Sequence, residues 1–225
     1  MNDQADKRHR MVDTQIKARG IQNPAILEAM RRVPRHAFVP TDLSEFAYED
    51  SALPIEADQT ISQPYIVALM IAALQPEATD RVLEIGTGSG YAAAVLSQIV
   101  QEVYTVERHA ELADLARRRM RELRYDTVHI LHGDGTLGWA DHAPYEGIVV
   151  TAGGPQVPEA LLTQLAPGGQ LVMPVGTEQK LQHLVRVTRQ QDSTYTQEEL
   201  GDVRFVPLIG TQGWQAPEAG MISLV

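Results

Sequence analysis

The chain has 225 residues, of which 44% are hydrophobic and 21% charged, so it is long enough to bury the core of a folded domain. It has no cysteine, which excludes disulfides, thiolate catalysis and cysteine-based zinc sites. The net charge of −10 argues against nonspecific binding to nucleic acid, and the sequence shows neither a signal peptide nor a membrane-spanning run. We therefore expect a cytoplasmic protein with no nucleic-acid or membrane partner. A monomer is expected, although no sequence feature determines the oligomeric state.

The first 60 residues are predicted to form helices and loops, because they lack the strand pattern that begins later. Within them, "NPAILEAMRRVP" places Asn23 at the N-cap and Pro24 at the first position of a helix that Pro34 ends. Three aromatic residues follow among acidic ones, and core packing is favoured for them over a lid. They are Phe38, Phe46 and Tyr48.

A polar run, "DQTISQ", directly precedes the apolar helix predicted over residues 65–74. One interpretation is that Ser62 caps this helix, with Pro64 in its first turn. The other is that the hydroxyls of the run contact a group that reacts at a neighbouring ligand site. The two interpretations are compatible, because the N-terminus of a helix also attracts an anion.

From residue 80 onward, short apolar runs alternate with helical segments, which predicts an α/β, Rossmann-like fold with a mostly parallel sheet and helices on both faces. The predicted strands are "RVLEIG", "EVYTVE", "TVHIL", "YEGIVVTA" and "QLVMPVG". A helix over "PEALLTQLAPGG", ended by its glycines, precedes the last of them. Two further strands are expected to form an antiparallel hairpin at the sheet edge. We divide this single domain into a helical addition (1–60), an α/β core (80–176) and an edge hairpin (180–210).

The first strand of the core leads into a turn with Gly86, Gly88 and Gly90. Glycines there let the backbone approach a ligand closely. The spacing G-x-G-x-G differs from the dinucleotide fingerprint G-x-G-x-x-G, and the turn lacks the Lys and Ser/Thr of a P-loop. An oxidoreductase is therefore disfavoured, and a cofactor loop is favoured over a tight turn that binds nothing.

Acidic residues border this glycine turn. Glu84 lies in the first strand, and Glu107 ends the second at about the distance expected of a ribose-binding carboxylate. Asp134, in "HGDG" after the third strand, either meets an adenine or serves an ordinary turn. An acid-rimmed groove without a phosphate site fits S-adenosylmethionine, with the glycine turn near its amino-acid part.

Several motifs resemble those of a known family. "LEIGTGSGY" is similar to the first motif of class I methyltransferases, and "QTISQPYIVA", "GDGTLGW", "IVVTA" and "RFVPLIG" resemble protein-L-isoaspartate O-methyltransferases. The resemblance implies the class I methyltransferase fold with additions at both ends. It also implies methyl transfer from S-adenosylmethionine to the free α-carboxylate of L-isoaspartyl residues in damaged proteins and peptides. The ester then closes to a succinimide, which reopens partly to normal aspartate.

The resemblance also implies roles for individual residues. It places "QTIS" over the methyl group and against the incoming carboxylate, which makes Thr60 and Ser62 the candidate catalytic residues. The expected cofactor-binding residues are Glu84, Gly86, Thr87, Gly88, Gly90, Glu107, Asp134 and Gly135. The expected substrate-binding residues are Ile61, Gln63, Thr151, Val206 and Pro207. For Thr151, Val206 and Pro207, ordinary strand packing is the alternative. The functional interpretation of Val206 and Pro207 is pairing with an extended peptide.

The expected chemistry needs no general base, because a carboxylate with a pKa of about 4 is already ionised at neutral pH. The protein has to align the reacting atoms, so Ser62 is expected to position the substrate without forming a covalent bond. No metal is expected, since His129 and His132 point to opposite faces of the third strand. We expect a structural hydrogen bond from His36.

Two alternatives share this fold. The enzyme could methylate another peptide or a small carboxylic acid, which the motifs do not distinguish. A cofactor-binding module that has lost catalysis is disfavoured, because "QTISQP" and "LEIGTGSG" are both intact. The segment after Trp214 matches no part of the family pattern, and its role is open.

Overall fold

The computed structural model describes residues 3–178 and 181–215, so the segment after Gln215 lies outside the described residues. The α-helices are α1 (Asp3–Met11), α2 (Pro24–Arg32), α3 (Pro64–Leu74), α4 (Tyr91–Leu96), α5 (Ala110–Leu123) and α6 (Glu159–Thr163). The strands are β1 (Leu53–Pro54), β2 (Thr60–Ile61), β3 (Arg81–Ile85), β4 (Glu102–Glu107), β5 (Val128–His132), β6 (Tyr145–Val150), β7 (Leu165–Glu178), β8 (Leu181–Arg189) and β9 (Tyr195–Val203). Shorter helical turns span Val12–Ile16, Lys17–Arg19, Arg35–Phe38, Thr41–Phe46, Gly135–Leu137 and Ala140–His142. Within the described residues, no helix combines the length and apolarity that crossing a membrane requires.

Strands β3 to β9 form one sheet in the order β5-β4-β3-β6-β7-β8-β9. The strands from β5 to β7 in that order are parallel, whereas β8 is antiparallel to both β7 and β9. This confirms the predicted mostly parallel sheet with an antiparallel edge hairpin. The chain runs from β3 to one side and returns on the other side as β6, so a crevice opens between their C-terminal ends, where such sheets bind ligands.

The central strands are apolar along their length because both faces of the sheet are covered. Val82 and Leu83 of β3 have no exposed surface and belong to hydrophobic clusters on opposite faces. Glu84, the next residue, is equally buried although its side chain ends in a carboxyl group. A buried carboxyl in a central strand costs free energy unless it is hydrogen-bonded or neutral. Glu84 is therefore a candidate residue of the functional site.

The N-terminal helices pack against the sheet domain, and the predicted helix that begins after Asn23 is present as α2. Asn23 caps α2, because its Oδ1 accepts hydrogen bonds from the amides of Ala25 at 2.9 Å and Ile26 at 3.4 Å. Ile26 and Met30 of α2 are fully buried in the same hydrophobic cluster as residues of β3 and α4. The addition therefore shares its core with the α/β unit.

Core packing is confirmed for two of the three aromatic residues in the following segment. Phe38 and Tyr48 are buried, whereas the side chain of Phe46 is 39% exposed. Tyr48 receives the predicted structural contact of His36, whose Nδ1 lies 2.6 Å from the Tyr48 hydroxyl. Arg35 is fully buried beside them, and its Nε donates to the Ala47 carbonyl at 2.8 Å.

One predicted helix boundary was wrong. Helix α6 ends at Thr163 instead of continuing to the glycines, because Leu165 is already paired with Tyr145 in the sheet and is fully buried. Pro167, which cannot occupy a helix interior, then lies in the bulge of β7.

The N-cap of α3 is Gln63 rather than Ser62, and it makes no side-chain capping bond. Pro64 lies in the first turn of this helix, as predicted. Because Ser62 precedes the cap, its hydroxyl is not used to start the helix.

Candidate active site

Three cavities meet at the C-terminal ends of β3 and β6. The first, of about 110 Å³, is lined by Gly86, Gly88, Glu107 and Gly135 among others. The second, of about 50 Å³, lies under the glycine turn, and the third, of about 530 Å³, opens toward β9. Thr60 and Thr151 line all three cavities. These two hydroxyls therefore mark the point at which groups held in separate cavities can meet.

The glycine turn is shaped by positive backbone φ angles and by close packing. Gly86 has a φ of 95°, and a Cβ there would lie 2.4 Å from Oγ1 of Thr151. That hydroxyl donates to the carbonyl of Gly86 at 2.8 Å, so it holds the turn against the end of β6. Gly90 has a φ of 90°, lines none of the three cavities, and faces Met120 of α5. The structure thus gives Gly90 a packing role, and its contact with the cofactor stays a prediction.

Glu107 faces the first cavity from the end of β4. Its two oxygens accept hydrogen bonds from the backbone amides of Gly88 and His109, at 2.8 and 2.9 Å. Each oxygen keeps a further lone pair, because a carboxylate has about four acceptor positions. Glu107 can therefore fix the glycine turn and still accept hydrogen bonds from a ligand.

Glu84 lies in the second cavity, beneath the glycine turn. The Thr105 hydroxyl donates to its Oε2 at 2.6 Å, and the Thr87 hydroxyl lies 2.7 Å from that of Thr105. Its Oε1 is buried and makes no hydrogen bond within the described structure. Burial raises the pKa of Glu84 to about 8, although the Thr105 hydrogen bond acts in the opposite direction. At neutral pH this carboxyl is therefore mostly protonated and can donate a hydrogen bond.

Asp134 is engaged in holding the protein together. Its Oδ1 accepts from the amide and hydroxyl of Thr136, and its Oδ2 accepts from the amide and hydroxyl of Thr211. Partial burial opposes ionisation, but these four hydrogen bonds outweigh it and lower the pKa of Asp134 below its ordinary value. Gly135 lines the first cavity, whereas Asp134 is not in its wall. The adenine contact of Asp134 stays a prediction, and the ordinary turn role is present in the structure.

Thr60 and Ser62 are carried by a ribbon in which β1 and β2 pair antiparallel. The ribbon turns at Ala57 and Asp58, which have φ angles of 57° and 55°. Two consecutive non-glycine residues with positive φ are uncommon and cost energy, so the contacts around the ribbon must stabilise the turn. Glu56 supplies one of them, at 3.9 Å from the guanidinium of Arg119.

Arg119 is a site residue that the sequence did not reveal. It lies on α5, is 9% exposed, and donates to the Ser89 carbonyl in the glycine turn at 3.1 Å. Its helix reads as an ordinary amphipathic segment, so neither composition nor spacing distinguishes Arg119 from the arginines beside it. The structure shows that it joins the ribbon to the glycine turn.

The predicted substrate residues divide between the cavities. Gln63 and Val206 line the third cavity, whereas Ile61 is buried and lines the second, and Pro207 lines the first. Thr151 belongs to all three. The residues predicted to bind the substrate therefore lie around one junction in the fold, but on different sides of it.

The Val206–Pro207 segment pairs inward rather than presenting a free edge. The Val206 carbonyl accepts from the Gly153 amide at 2.8 Å, and the adjacent residue, Phe205, is held by the side-chain amide of Gln182. Gln182 is 1% exposed and lies on β8, so it is a second residue that the sequence did not reveal. A peptide that pairs with this segment through its backbone finds Phe205 already bonded and no N–H on Pro207.

Comparison with known proteins gives a consistent match. The family model for protein-L-isoaspartate(D-aspartate) O-methyltransferase (PCMT) matches residues 6–213. The chain is 58% identical to protein-L-isoaspartate O-methyltransferase 2 of Pelobacter propionicus, over 95% of each chain. It is 60% identical to protein-L-isoaspartate O-methyltransferase 1 of Geotalea uraniireducens, over 93% of this chain and 96% of that protein.

Solved structures agree with the sequence match. A protein-L-isoaspartate O-methyltransferase superimposes with a TM-score of 0.83 and 30% identity, covering 92% of this chain and 67% of the other. A putative enzyme of this kind from Plasmodium falciparum, in complex with S-adenosyl-L-homocysteine, has the same fold with a TM-score of 0.76 and 24% identity, over 90% of this chain and 98% of that one. The glycine turn, the ribbon and the groove thus occur in a chain that belongs to the protein-L-isoaspartate O-methyltransferase family.

Proposed function

We propose that this enzyme transfers a methyl group from S-adenosylmethionine to the free α-carboxylate of L-isoaspartyl residues in damaged proteins and peptides. The methyl ester that forms begins repair through a succinimide. The observation that carries the proposal is the junction at Thr60 and Thr151, where the cavities beside the glycine turn meet an open groove. A cofactor in the first two cavities and a peptide in the third would come together there.

The residues around the first two cavities fit the cofactor. Glu107 has lone pairs available for the ribose hydroxyls, and Gly135 gives an adenine access to backbone. The unpartnered Oε1 of Glu84 in the second cavity would accept a hydrogen bond from the cofactor's ammonium group, a cation that favours the ionised form of this carboxyl when it binds. When bound, S-adenosylmethionine supplies a methyl group on a positively charged sulfur. We infer that Thr87 and the glycine turn support the amino-acid part of this cofactor.

The protein then has to position an anion that is already nucleophilic. The hydroxyls of Thr60 and Ser62 can donate to the substrate carboxylate, and the N-terminus of α3 adds a favourable field. Both residues border the third cavity as well as the second. Alignment of this kind can lower a barrier by about 7–11 kcal/mol. No general base is required, because the substrate carboxylate is already ionised at neutral pH.

Peptide binding is assigned to the third cavity. Gln63 and Val206 line it directly, and Ile61 and Pro207 support the same junction from the adjoining cavities. We infer contacts between the peptide and side chains of the groove, since the Val206–Pro207 backbone is paired inward.

The predicted cytoplasmic, monomeric state and the single-domain organisation belong to the same proposal. Light scattering of the purified chain tests the monomer.

The deciding experiment measures transfer of labelled methyl from S-adenosylmethionine to two peptides that differ only in an isoaspartyl or an aspartyl residue. We expect base-labile label on the isoaspartyl peptide alone. Labelling of neither peptide, with binding of S-adenosylhomocysteine shown by calorimetry, would reject the isoaspartyl acceptor. Small carboxylic acids and other peptides would then be tested as acceptors.

The role of Ser62 is tested by Ser62→Ala, with Ser97→Ala as a matched control. Ser97 lies at the C-terminal end of α4 and donates only to the Ala94 carbonyl, at 2.8 Å. We expect Ser62→Ala to reduce kcat about 10-fold with unchanged cofactor affinity, as for loss of one hydrogen bond to a charged group. Complete loss of turnover in a folded, cofactor-binding variant contradicts a positioning role.

A further inference from the structure

The groove that forms the third cavity has few charged residues. It begins at Thr60 and Ser62 and ends beside β9, and Asp202 and Arg204 are the charged residues in its described wall. Asp202 is paired with His183, whose Nδ1 lies 2.8 Å from the carboxylate oxygen Oδ1. Arg204 is exposed and has no ion pair or hydrogen bond with the residues described in 3–178 and 181–215.

This free cation contrasts with the charge of the whole chain. The net charge of −10 repels an anionic peptide at long range, whereas the guanidinium of Arg204 offers an attractive contact within the groove itself. A guanidinium is always charged at neutral pH, and its planar array of donors matches a carboxylate. Among the residues described in the wall of this groove, Arg204 is thus the cation available to a negative group, whereas the carboxylate of Asp202 is held by His183.

We propose that Arg204 is a specificity-determining residue that favours isoaspartyl peptides with an acidic side chain next to the damaged residue. This inference rests on the proposed function, because it concerns which isoaspartyl peptides the groove accepts. The α-carboxylate that is methylated is common to all substrates and belongs at Thr60 and Ser62. Arg204 therefore contacts the side chain next to the isoaspartyl residue and discriminates between isoaspartyl peptides.

The expected effect is moderate, because Arg204 is exposed. Exposed ion pairs change affinities by about 1.4- to 5-fold, and added salt screens them. An Arg204→Glu substitution replaces attraction by repulsion, so the discrimination between acidic and basic peptides should reverse rather than only disappear. The conservative variant Arg204→Lys keeps the charge and should keep the preference.

The test uses isoaspartyl peptides with Glu, Gln or Lys placed immediately before or immediately after the isoaspartyl residue. For the wild type, we expect kcat/KM to be about threefold higher with Glu than with Lys in at least one of the two positions. Arg204→Gln should bring the ratio of kcat/KM for the Glu and Lys peptides to about one, and Arg204→Glu should invert it. Added 0.5 M NaCl should reduce the ratio for the wild type. The matched control is Arg118→Glu, which changes the net charge equally at an exposed position of α5, a helix that packs against β4 and β5 at the far end of the sheet.

Two results overturn the inference. One is an equal kcat/KM for the Glu and Lys peptides in both positions with the wild type. The other is an unchanged preference in Arg204→Glu, or a preference that Arg118→Glu reverses equally well. In each case the isoaspartyl peptides are still methylated, so only the role of Arg204 fails. Failure of the proposed function is different, because none of the isoaspartyl peptides would then be methylated.

Discussion

Replacing Glu84 by Gln should make the folding stability of the enzyme less sensitive to alkaline pH. A raised carboxyl pKa means that the folded protein keeps a proton that the unfolded chain has already lost. Folding stability therefore falls as pH rises from the ordinary pKa of 4.5 toward the folded pKa of about 8. Glutamine occupies nearly the same volume and cannot ionise, so the variant lacks this pH-dependent loss.

The size of the effect follows from the two pKa values. A difference between 4.5 and about 8 corresponds to about 5 kcal/mol when the whole range is crossed. Between pH 6 and pH 8, where ordinary carboxyl groups no longer titrate, Glu84 should lower the free energy of unfolding by about 2 kcal/mol. For a chain of this length that change is about 4–8 °C in Tm.

The assay is urea unfolding of the wild type and Glu84→Gln at pH 6, 7 and 8, without cofactor. Subtracting the two free energies of unfolding at each pH removes the contribution of every group common to both proteins. We expect the variant to gain about 2 kcal/mol on the wild type as pH rises across this range. A difference that stays constant from pH 6 to pH 8 would refute a buried, neutral Glu84.

Three further predictions concern packing and hydrogen bonds. Gly90→Ala and Gly20→Ala should each destabilise the protein by about 1 kcal/mol in urea unfolding, because both glycines have positive φ. The loss should be somewhat larger at Gly90, where the added Cβ would lie 2.5 Å from Met120 Cε and displace the flexible end of that side chain; a smaller loss at Gly90 than at Gly20 would contradict this. Thr211→Val should cost about 1 kcal/mol and weaken binding of S-adenosylhomocysteine in calorimetry, since one hydrogen bond to Asp134 is lost; unaltered stability and affinity would show that this contact is dispensable. Gln182→Leu should raise KM for an isoaspartyl peptide severalfold and leave cofactor affinity unchanged, because it releases Phe205 at the groove; a loss confined to cofactor binding would place the effect elsewhere.

The sequence predicted those parts of the fold that depend on neighbours along the chain. The apolar run of β3, the cap at Asn23 and the glycine spacing are local signals, and the structure contains all three elements. The helix predicted to reach the glycines near residue 168 failed because Leu165 is drawn into the sheet by Tyr145, a residue remote in the sequence.

The site was predicted less completely for the same reason. Asp134 is held by its near neighbour Thr136 and also by Thr211, 77 positions away, and no spacing rule connects Asp134 with Thr211. Arg119 and Gln182 look like ordinary helix and strand residues, and their roles arise only from the carbonyl and amide groups that folding brings beside them. Motif resemblance could indicate Thr60 and Ser62, but it could not show that Thr60 and Thr151 border the same three cavities.

The Asp134–Thr211 contact bears on how the enzyme matures during synthesis. Leu208 and Ile209 help to line the first cavity, and Asp134 together with the Trp214 indole, which donates to the Gly153 carbonyl at 3.0 Å, holds their segment in place. All strands of the parallel sheet are complete by Glu178, well before this segment is made. A nascent or truncated chain ending before Arg204 contains all the residues of the sheet, but we expect it to lack Leu208 and Ile209 from the wall of the first cavity. The ability to bind cofactor should consequently arise late, as the last described residues leave the ribosome, and a single proteolytic cut near Phe205 should remove it while most of the sheet stays folded.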